Sequence, residues 1–212
     1  MNEPCIIIQG KSDHVDEIRD NWKNNNVIFS TWIGEETKYT KNDLVIFNDP
    51  PLNGGPQHLY FQQKSSLNGL LKAKEMGFKK AIKIRSDMII KNVEGFLSVF
   101  DKQLNFFYWH DHDGGYLVDY FMGGDVDKMI DLWEIDKSLN YRFPEQAITK
   151  SFIDKSLYKN TFKFFGNSIN KMNDIYWIKY NKYLSNYIND NSFKMKIWGL
   201  ETLEDLAAFF SK

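Results

Sequence analysis

Ala81-Ile82-Lys83-Ile84-Arg85-Ser86-Asp87 is the stretch on which the fold turns. Its β-branched and alternating residues read as a strand, and the polar pair Ser86-Asp87 marks the carboxyl end of that strand. Upstream lies a helical pattern over residues 57–76, closed by Gly77 as a C-cap. A loop at 50–56 precedes that helix, because Pro and Gly cluster too densely there for regular structure. Further toward the N-terminus, 4–10 reads as a buried strand ending in a turn, 25–32 as a turn and second strand, and 43–49 as a third. Between the first two, 12–24 reads as a helix, with Ser12 or Asp13 as N-cap and Val15, Ile18 and Trp22 at helical spacing.

Downstream the pattern is less regular. It predicts a short helix at 93–100, a strand at 104–109, the run His110-Asp111-His112-Asp113-Gly114-Gly115, and a strand at 117–122 ending in Gly123-Gly124. Residues 127–133 read as helix, Pro144 opens another helix to about 154, and 161–165 read as strand. Alternating strands and helices predict an α/β domain over residues 1–212, its central sheet mostly parallel but mixed, with helices on both faces. Such sheets bind ligands at the carboxyl ends of their strands. Those ends carry Gln9-Gly10, Thr31-Trp32, Asn48-Asp49 and Ser86-Asp87.

Composition narrows the function classes. A formal net charge of -1 gives no general attraction to nucleic acid or to an anionic membrane. No apolar run approaches the roughly 20 residues of a membrane helix, and no signal peptide is evident, so a soluble, cytoplasmic protein is expected. The single cysteine, Cys5, sits beside an apolar run and excludes an intrachain disulfide. None of the GxSxG, HExxH, P-loop or GxGxxG motifs occurs.

Asp87 is the sharpest candidate for chemistry. A carboxylate just past a buried strand can hold a divalent cation, which neutralises a departing nucleoside diphosphate. Mg²⁺ and Mn²⁺ take such oxygen ligands. An acid capping a following helix is the plainer explanation. Lys83, Arg85 and Asp87 alternate, so they share a face if the strand persists, and two cations there need anionic partners. A bound diphosphate supplies them, and so does a salt-bridge network. Asp111 and Asp113 lie in a run that reads as a loop at the cleft mouth, near a donor sugar. Asp119, in an apolar strand beside Gly123 and Gly124, and Glu145, in the first turn of a helix, are the candidate general bases toward an acceptor hydroxyl. For both, a structural role explains the residue equally well.

Five short motifs in order carry a resemblance. Ile8-Gln9-Gly10, Ser30-Thr31-Trp32, Asn48-Asp49-Pro50, Gln62-x-x-Ser65-Ser66-x-x-Gly69-Leu70 and Lys83-Ile84-Arg85-Ser86-Asp87 resemble the WavE-type lipopolysaccharide-synthesis family, whose members look like glycosyltransferases of the GT-A fold. The chain is also similar to glycosyltransferase domains of large DNA viruses of algae and amoebae. The resemblance covers about the first 90 residues and weakens from 117 to 153. It implies a nucleotide-binding half at 1–90 and a donor-sugar and acceptor half at 91–212. It further implies a UDP-sugar donor, a glycan or glycoprotein acceptor and a divalent metal, Mn²⁺ or Mg²⁺, at Asp87. Gln9, Gly10, Thr31, Trp32, Gln62, Ser66, Arg85 and Ser86 would then line the nucleotide pocket. One departure stands out: the usual Asp-x-Asp is here Arg85-Ser86-Asp87, with a cation in place of the first acid.

The expected activity is transfer of a hexose or deoxyhexose from a UDP-sugar to a glycan. The alternatives are a nucleotidyl- or phosphotransferase using the same cleft, and a binding module without activity.

Overall fold

The computed structural model describes residues 3–11, 13–98, 104–111, 114–157, 162–164, 175–177 and 182–183. The chain begins with β1 (Cys5–Gln9), α1 (Val15–Asn21), β2 (Asn26–Trp32) and β3 (Val45–Asn48). It continues with α2 (Leu59–Glu75), β4 (Lys80–Arg85), β5 (Met88–Ile90) and α3 (Val93–Leu97). Then come β6 (Leu104–Asp111), β7 (Gly114–Asp125), α4 (Val126–Trp133) and α5 (Pro144–Asp154). Three short strands follow, β8 (Phe162–Phe164), β9 (Ile175–Trp177) and β10 (Lys182–Tyr183).

Seven strands form one sheet in the order β3-β2-β1-β4-β7-β6-β8. The first four are mutually parallel, and β6 and β8 are parallel to each other. β7 is the exception, running antiparallel to both β4 and β6. A second sheet, β10-β9-β5, hangs on the short strand after Asp87. The architecture is the expected α/β one, a mixed sheet with helices on both faces.

Alternation along the strands divides the core in two. Cys5, Ile7, Ile28 and Ala81 point to the side of Leu59, Leu70 and Ala73 of α2, with Met129, Trp133, Ile148 and Phe152 of α4 and α5. Ile6, Ile8, Phe29, Ile82 and Ile84 point to the other side, against Ile18, Trp22 and Phe96. Gly69 sets how closely α2 approaches the sheet. A Cβ built there would stand 2.3 Å from Ile7 Cγ2 and 3.4 Å from Ser30 Cβ. A buried network locks the same contact further out: Asn48 Nδ2 donates to Ser30 Oγ (3.0 Å) and to the Thr31 carbonyl (2.6 Å). Asn68 in turn donates to Asn48 Oδ1.

Several boundaries differ from the sequence reading, each for a local reason. α1 starts at Val15 with His14 as N-cap, and no side chain caps it. Asp13 instead pairs with Lys38 at 2.6 Å, and Ser12 lies outside the described residues. α2 begins two residues late, after a single 3-10 turn, Pro56–His58, in which Gln57 (φ 45) and His58 (φ 65) are left-handed. No helix follows Asp87 for it to cap. Met88–Ile90 is the strand β5, whose Ile90 exchanges two hydrogen bonds with the Asn21 amide of α1, at 2.7 and 2.9 Å.

Replacing Gly69 by Ala is expected to lower the melting temperature. Overpacking against Ile7 costs about 1–3 kcal/mol, which outweighs the roughly 1 kcal/mol that alanine gains over glycine in a helix. Thermal unfolding of Gly69→Ala with and without Ile7→Ala measures this; the loss should shrink in the Ile7→Ala background.

Candidate functional site

The strand order 3-2-1-4 places a topological switch point between β1 and β4. The β1–α1–β2 connection covers one face and the β3–α2–β4 connection the other, the arrangement that in open α/β sheets leaves a ligand crevice outside the carboxyl ends. Gln9 stands beside Arg85 in the register of these two strands. The ends are tied together just beyond. Ser86 N–H donates to the Gln9 carbonyl (3.0 Å), Gly10 N–H to the Ser30 carbonyl (3.0 Å), and Ser86 Oγ to the Lys11 carbonyl (2.6 Å).

On the α2 side of this edge, Lys83 and Arg85 follow Ala81 along β4. Lys83 has no exposed surface. Its ammonium donates to the Asp119 carbonyl and lies 4.9 Å from the centre of the Trp133 ring. Burial pushes its pKa down to about 8, against the opposing pull of Asp119. Arg85 reaches further out. Its Nε and Nη2 donate to the two oxygens of Asp87 at 3.0 and 2.9 Å, and the guanidinium lies 5.3 Å from the Tyr120 ring centre.

Asp119 arrives by an irregularity in β7. Phe106 pairs with Met122 and Tyr108 with Leu117, so residues 118–121 of β7 stand opposite the single residue 107 of β6. Such bulges re-aim side chains. Here Leu117 and Met122 share one core while Val118 and Phe121 share the other, so the alternation slips within the bulge. Asp119 is turned onto the α2 side beside Lys83, only 1% exposed. No nitrogen or alcohol donor among the described residues reaches either of its carboxylate oxygens.

Glu145 meets it from the first turn of α5, after Pro144 at the head of the helix. Burial, then the Asp119 charge and a hydrogen bond to that carboxyl, push the Glu145 pKa up to about 9. Two buried carboxyls in contact are satisfied when one keeps its proton and donates to the other. Charge balance agrees: Lys83 and Arg85 offset Asp87 and Asp119, which leaves Glu145 neutral.

Three more unsatisfied polar atoms face this crevice. Gln9 Oε1, Gln62 Oε1 and Ser66 Oγ are buried without partners among the described residues. α2 runs antiparallel to β1, so Ser66 and Gln62, about one and two turns before Gly69, come level with Gln9 and the carboxyl edge. Trp32 closes the side, its ring edge-on to Phe61 of α2 at 5.0 Å.

The structure thus brings together Gln9, Trp32, Gln62, Ser66, Arg85, Asp87, Asp119 and Glu145. Other expected residues stand elsewhere. Thr31 follows Phe29 onto the opposite face, where its side chain lies beside Tyr39. Gly10 and Ser86 lie at the same edge as Gln9 and Arg85 and donate hydrogen bonds that join the strand ends. Gly123 and Gly124 are inside β7, opposite Ile82 and Ala81, toward the far end of β4. Asp111 pairs with Gly114 at the end of the β6–β7 hairpin, which projects past the carboxyl edge; Asp113 lies outside the described residues. Cys5 is buried, and its thiol is pushed up to about 12, so it is no nucleophile. Sequence reasoning missed Trp133 and Tyr120, which hold the two cations by their ring faces.

The donor set around Asp87 does not fit a divalent cation. Both of its oxygens accept from Arg85, and among the described residues no three His, Cys, Asp or Glu side chains gather as a metal site. No helix among the described residues is long and apolar enough to cross a membrane.

No family model and no curated protein matches the chain. Among solved structures, it is similar to a glycosyltransferase involved in the glycosylation of the major capsid of PBCV-1, at 11% identity, covering 76% of this chain and 81% of that one with a TM-score of 0.48. It is also similar to HddC from Yersinia pseudotuberculosis, at 14% identity, covering 77% and 89% of the two chains with a TM-score of 0.43.

The buried carboxyl pair makes stability depend on pH. Glu145 keeps its proton in the folded chain up to about pH 9, whereas in the unfolded chain it loses it near the ordinary glutamate value of 4.5. The folded state therefore binds more protons between these values, and stability falls as pH rises through that window. Glu145→Gln should remove this dependence. Melting temperatures from pH 5 to 8 should show the variant gaining steadily on the parent, and parallel curves would refute the assignment.

Proposed function

We propose that this chain is a glycosyltransferase that moves a hexose or deoxyhexose from a UDP-sugar to a hydroxyl of a glycan or glycoprotein. The main support is the meeting, at the switch point, of two cations, three unsatisfied polar atoms and a buried carboxyl pair. Each part matches a different part of such a substrate. Arg85, with Lys83 behind it, meets the diphosphate. Gln9, Gln62 and Ser66 offer acceptors and a hydroxyl to the nucleoside or donor-sugar hydroxyls, and Trp32 offers a ring at the cleft wall. Asp119 takes the proton of the acceptor hydroxyl.

The reaction balances without a further reagent. The acceptor oxygen attacks the anomeric carbon of the donor sugar, and a new C–O bond forms there. The bond from that carbon to the diphosphate oxygen breaks, and the leaving diphosphate keeps the electron pair. Asp119 receives the acceptor proton, and Glu145, already protonated, hydrogen-bonds the same carboxylate and holds it in place. Proton transfer of this kind contributes about 10²–10⁴-fold.

Incubation with a panel of UDP-sugars and glycan acceptors should release UDP, followed by coupled assay. Asp119→Asn should lower kcat by about 10²-fold or more with little change in donor KM. Ser66→Ala and Gln9→Ala should instead raise donor KM by about 5-fold, the value of one neutral hydrogen bond. Release of pyrophosphate in place of UDP would mark a nucleotidyl transfer and overturn the reading.

A further inference from the structure

We infer that Arg85 takes the place of the divalent cation, so that the donor diphosphate is held by the Arg85 guanidinium and needs no metal. This rests on the nucleotide-sugar reading of the crevice and specifies how that site meets its most charged group.

The first observation is the pairing of Arg85 with Asp87. Both carboxylate oxygens accept from the guanidinium, fork to fork, at 3.0 and 2.9 Å. A cation placed on Asp87 would have to displace that fork and then lie against a permanent positive charge. The second is the rest of the acid set. Asp119 and Glu145 face each other and the Lys83 ammonium deeper in the fold, and no group of three metal-ligating side chains forms among the described residues.

The third observation is that Arg85 is built to receive an anion. Its side chain is 27% exposed at the mouth of the crevice, while Lys83 beneath it is sealed from solvent. The Tyr120 ring supports the guanidinium from β7 at 5.3 Å. A phosphate presents oxygens with nearly the spacing of a carboxylate and carries more charge. The fork that holds Asp87 can therefore pass to the diphosphate without new geometry. Asp87 then acts as a placeholder: it orients the guanidinium and balances its charge.

Calorimetric titration of the full chain with UDP decides this. It is run with EDTA and with MnCl₂, on the parent and on Asp87→Asn, Arg85→Gln and Arg85→Lys. We expect the UDP dissociation constant to agree within about 3-fold with chelator and with Mn²⁺. Asp87→Asn should bind UDP at least as tightly as the parent. Arg85→Gln should weaken it by about 10-fold or more, the loss of one charge-assisted contact, with no rescue by Mn²⁺. Arg85→Lys, which keeps the charge and loses the fork, should fall between. Circular dichroism confirms folding of each variant; where the Arg85 variants do not fold, the Asp87→Asn titration decides alone. UDP binding that requires Mn²⁺ and disappears in Asp87→Asn overturns the inference and leaves the glycosyltransferase reading standing. No UDP binding under either condition overturns both.

Discussion

A lysine ammonium with no solvent contact is the constraint around which this half of the molecule is built. An unpaired charge at such depth is strongly disfavoured, and leaving one behind by removing its partner costs about 3–5 kcal/mol. Lys83 is held from two elements: the carbonyl and the charge of Asp119 in the bulge of β7, and the ring of Trp133 at the end of α4. Each of these has to arrive at the right place for β4 to be buried between β1 and β7. The bulge is therefore more than a defect in pairing. It delivers the carbonyl to the ammonium and, in the same residue, turns the carboxylate onto the crevice side.

Local signals explain which parts of the fold the sequence discloses. The runs Cys5-Ile6-Ile7-Ile8 and Val27-Ile28-Phe29 are strongly strand-forming, and Gly77 (φ +84) ends α2 as a C-cap glycine should. Their parallel order follows from the helices between them. By contrast, Gly123-Gly124 looks like a loop to any local reading, because glycine is poor in strands. In the structure it pairs with Ile82 and Ala81, a contact about 40 residues away in sequence. Nothing near Gly123 encodes that partner. The helix starts failed for a similar reason: Asp13 is spent on Lys38 from beyond β2, so it cannot cap α1.

The same division runs through the site. Gln9, Arg85 and Asp87 are legible because they end strands, and Gln62 and Ser66 because they lie four apart on one helix face. Thr31 and Trp32 share one strand end, but adjacent strand residues point to opposite faces, and only Trp32 is on the crevice side. Asp119 and Glu145 could each be singled out as an acid in an unusual setting. That they meet each other was not legible, since the meeting depends on a bulge and on the docking of α5 against β7.

Charge balance connects the two halves of the site. In the ligand-free chain, Arg85 is neutralised by Asp87 and Lys83 by Asp119, while Glu145 keeps a proton. A diphosphate bound at Arg85, as proposed, would compete directly with Asp87 and bring negative charge to within the reach of Lys83. Extra negative charge there raises the preference of Lys83 for its charged form and makes an ionised Glu145 still less favourable. Under the proposed glycosyl transfer, the proton of the carboxyl pair stays on Glu145 when the donor is bound, and Asp119 is the acceptor for the proton of an incoming hydroxyl. The acids accordingly occupy two separate places: one near the strand end, holding the arginine, and a coupled pair at depth, facing the lysine. The bulge of β7 and the strand order 3-2-1-4 provide those two places.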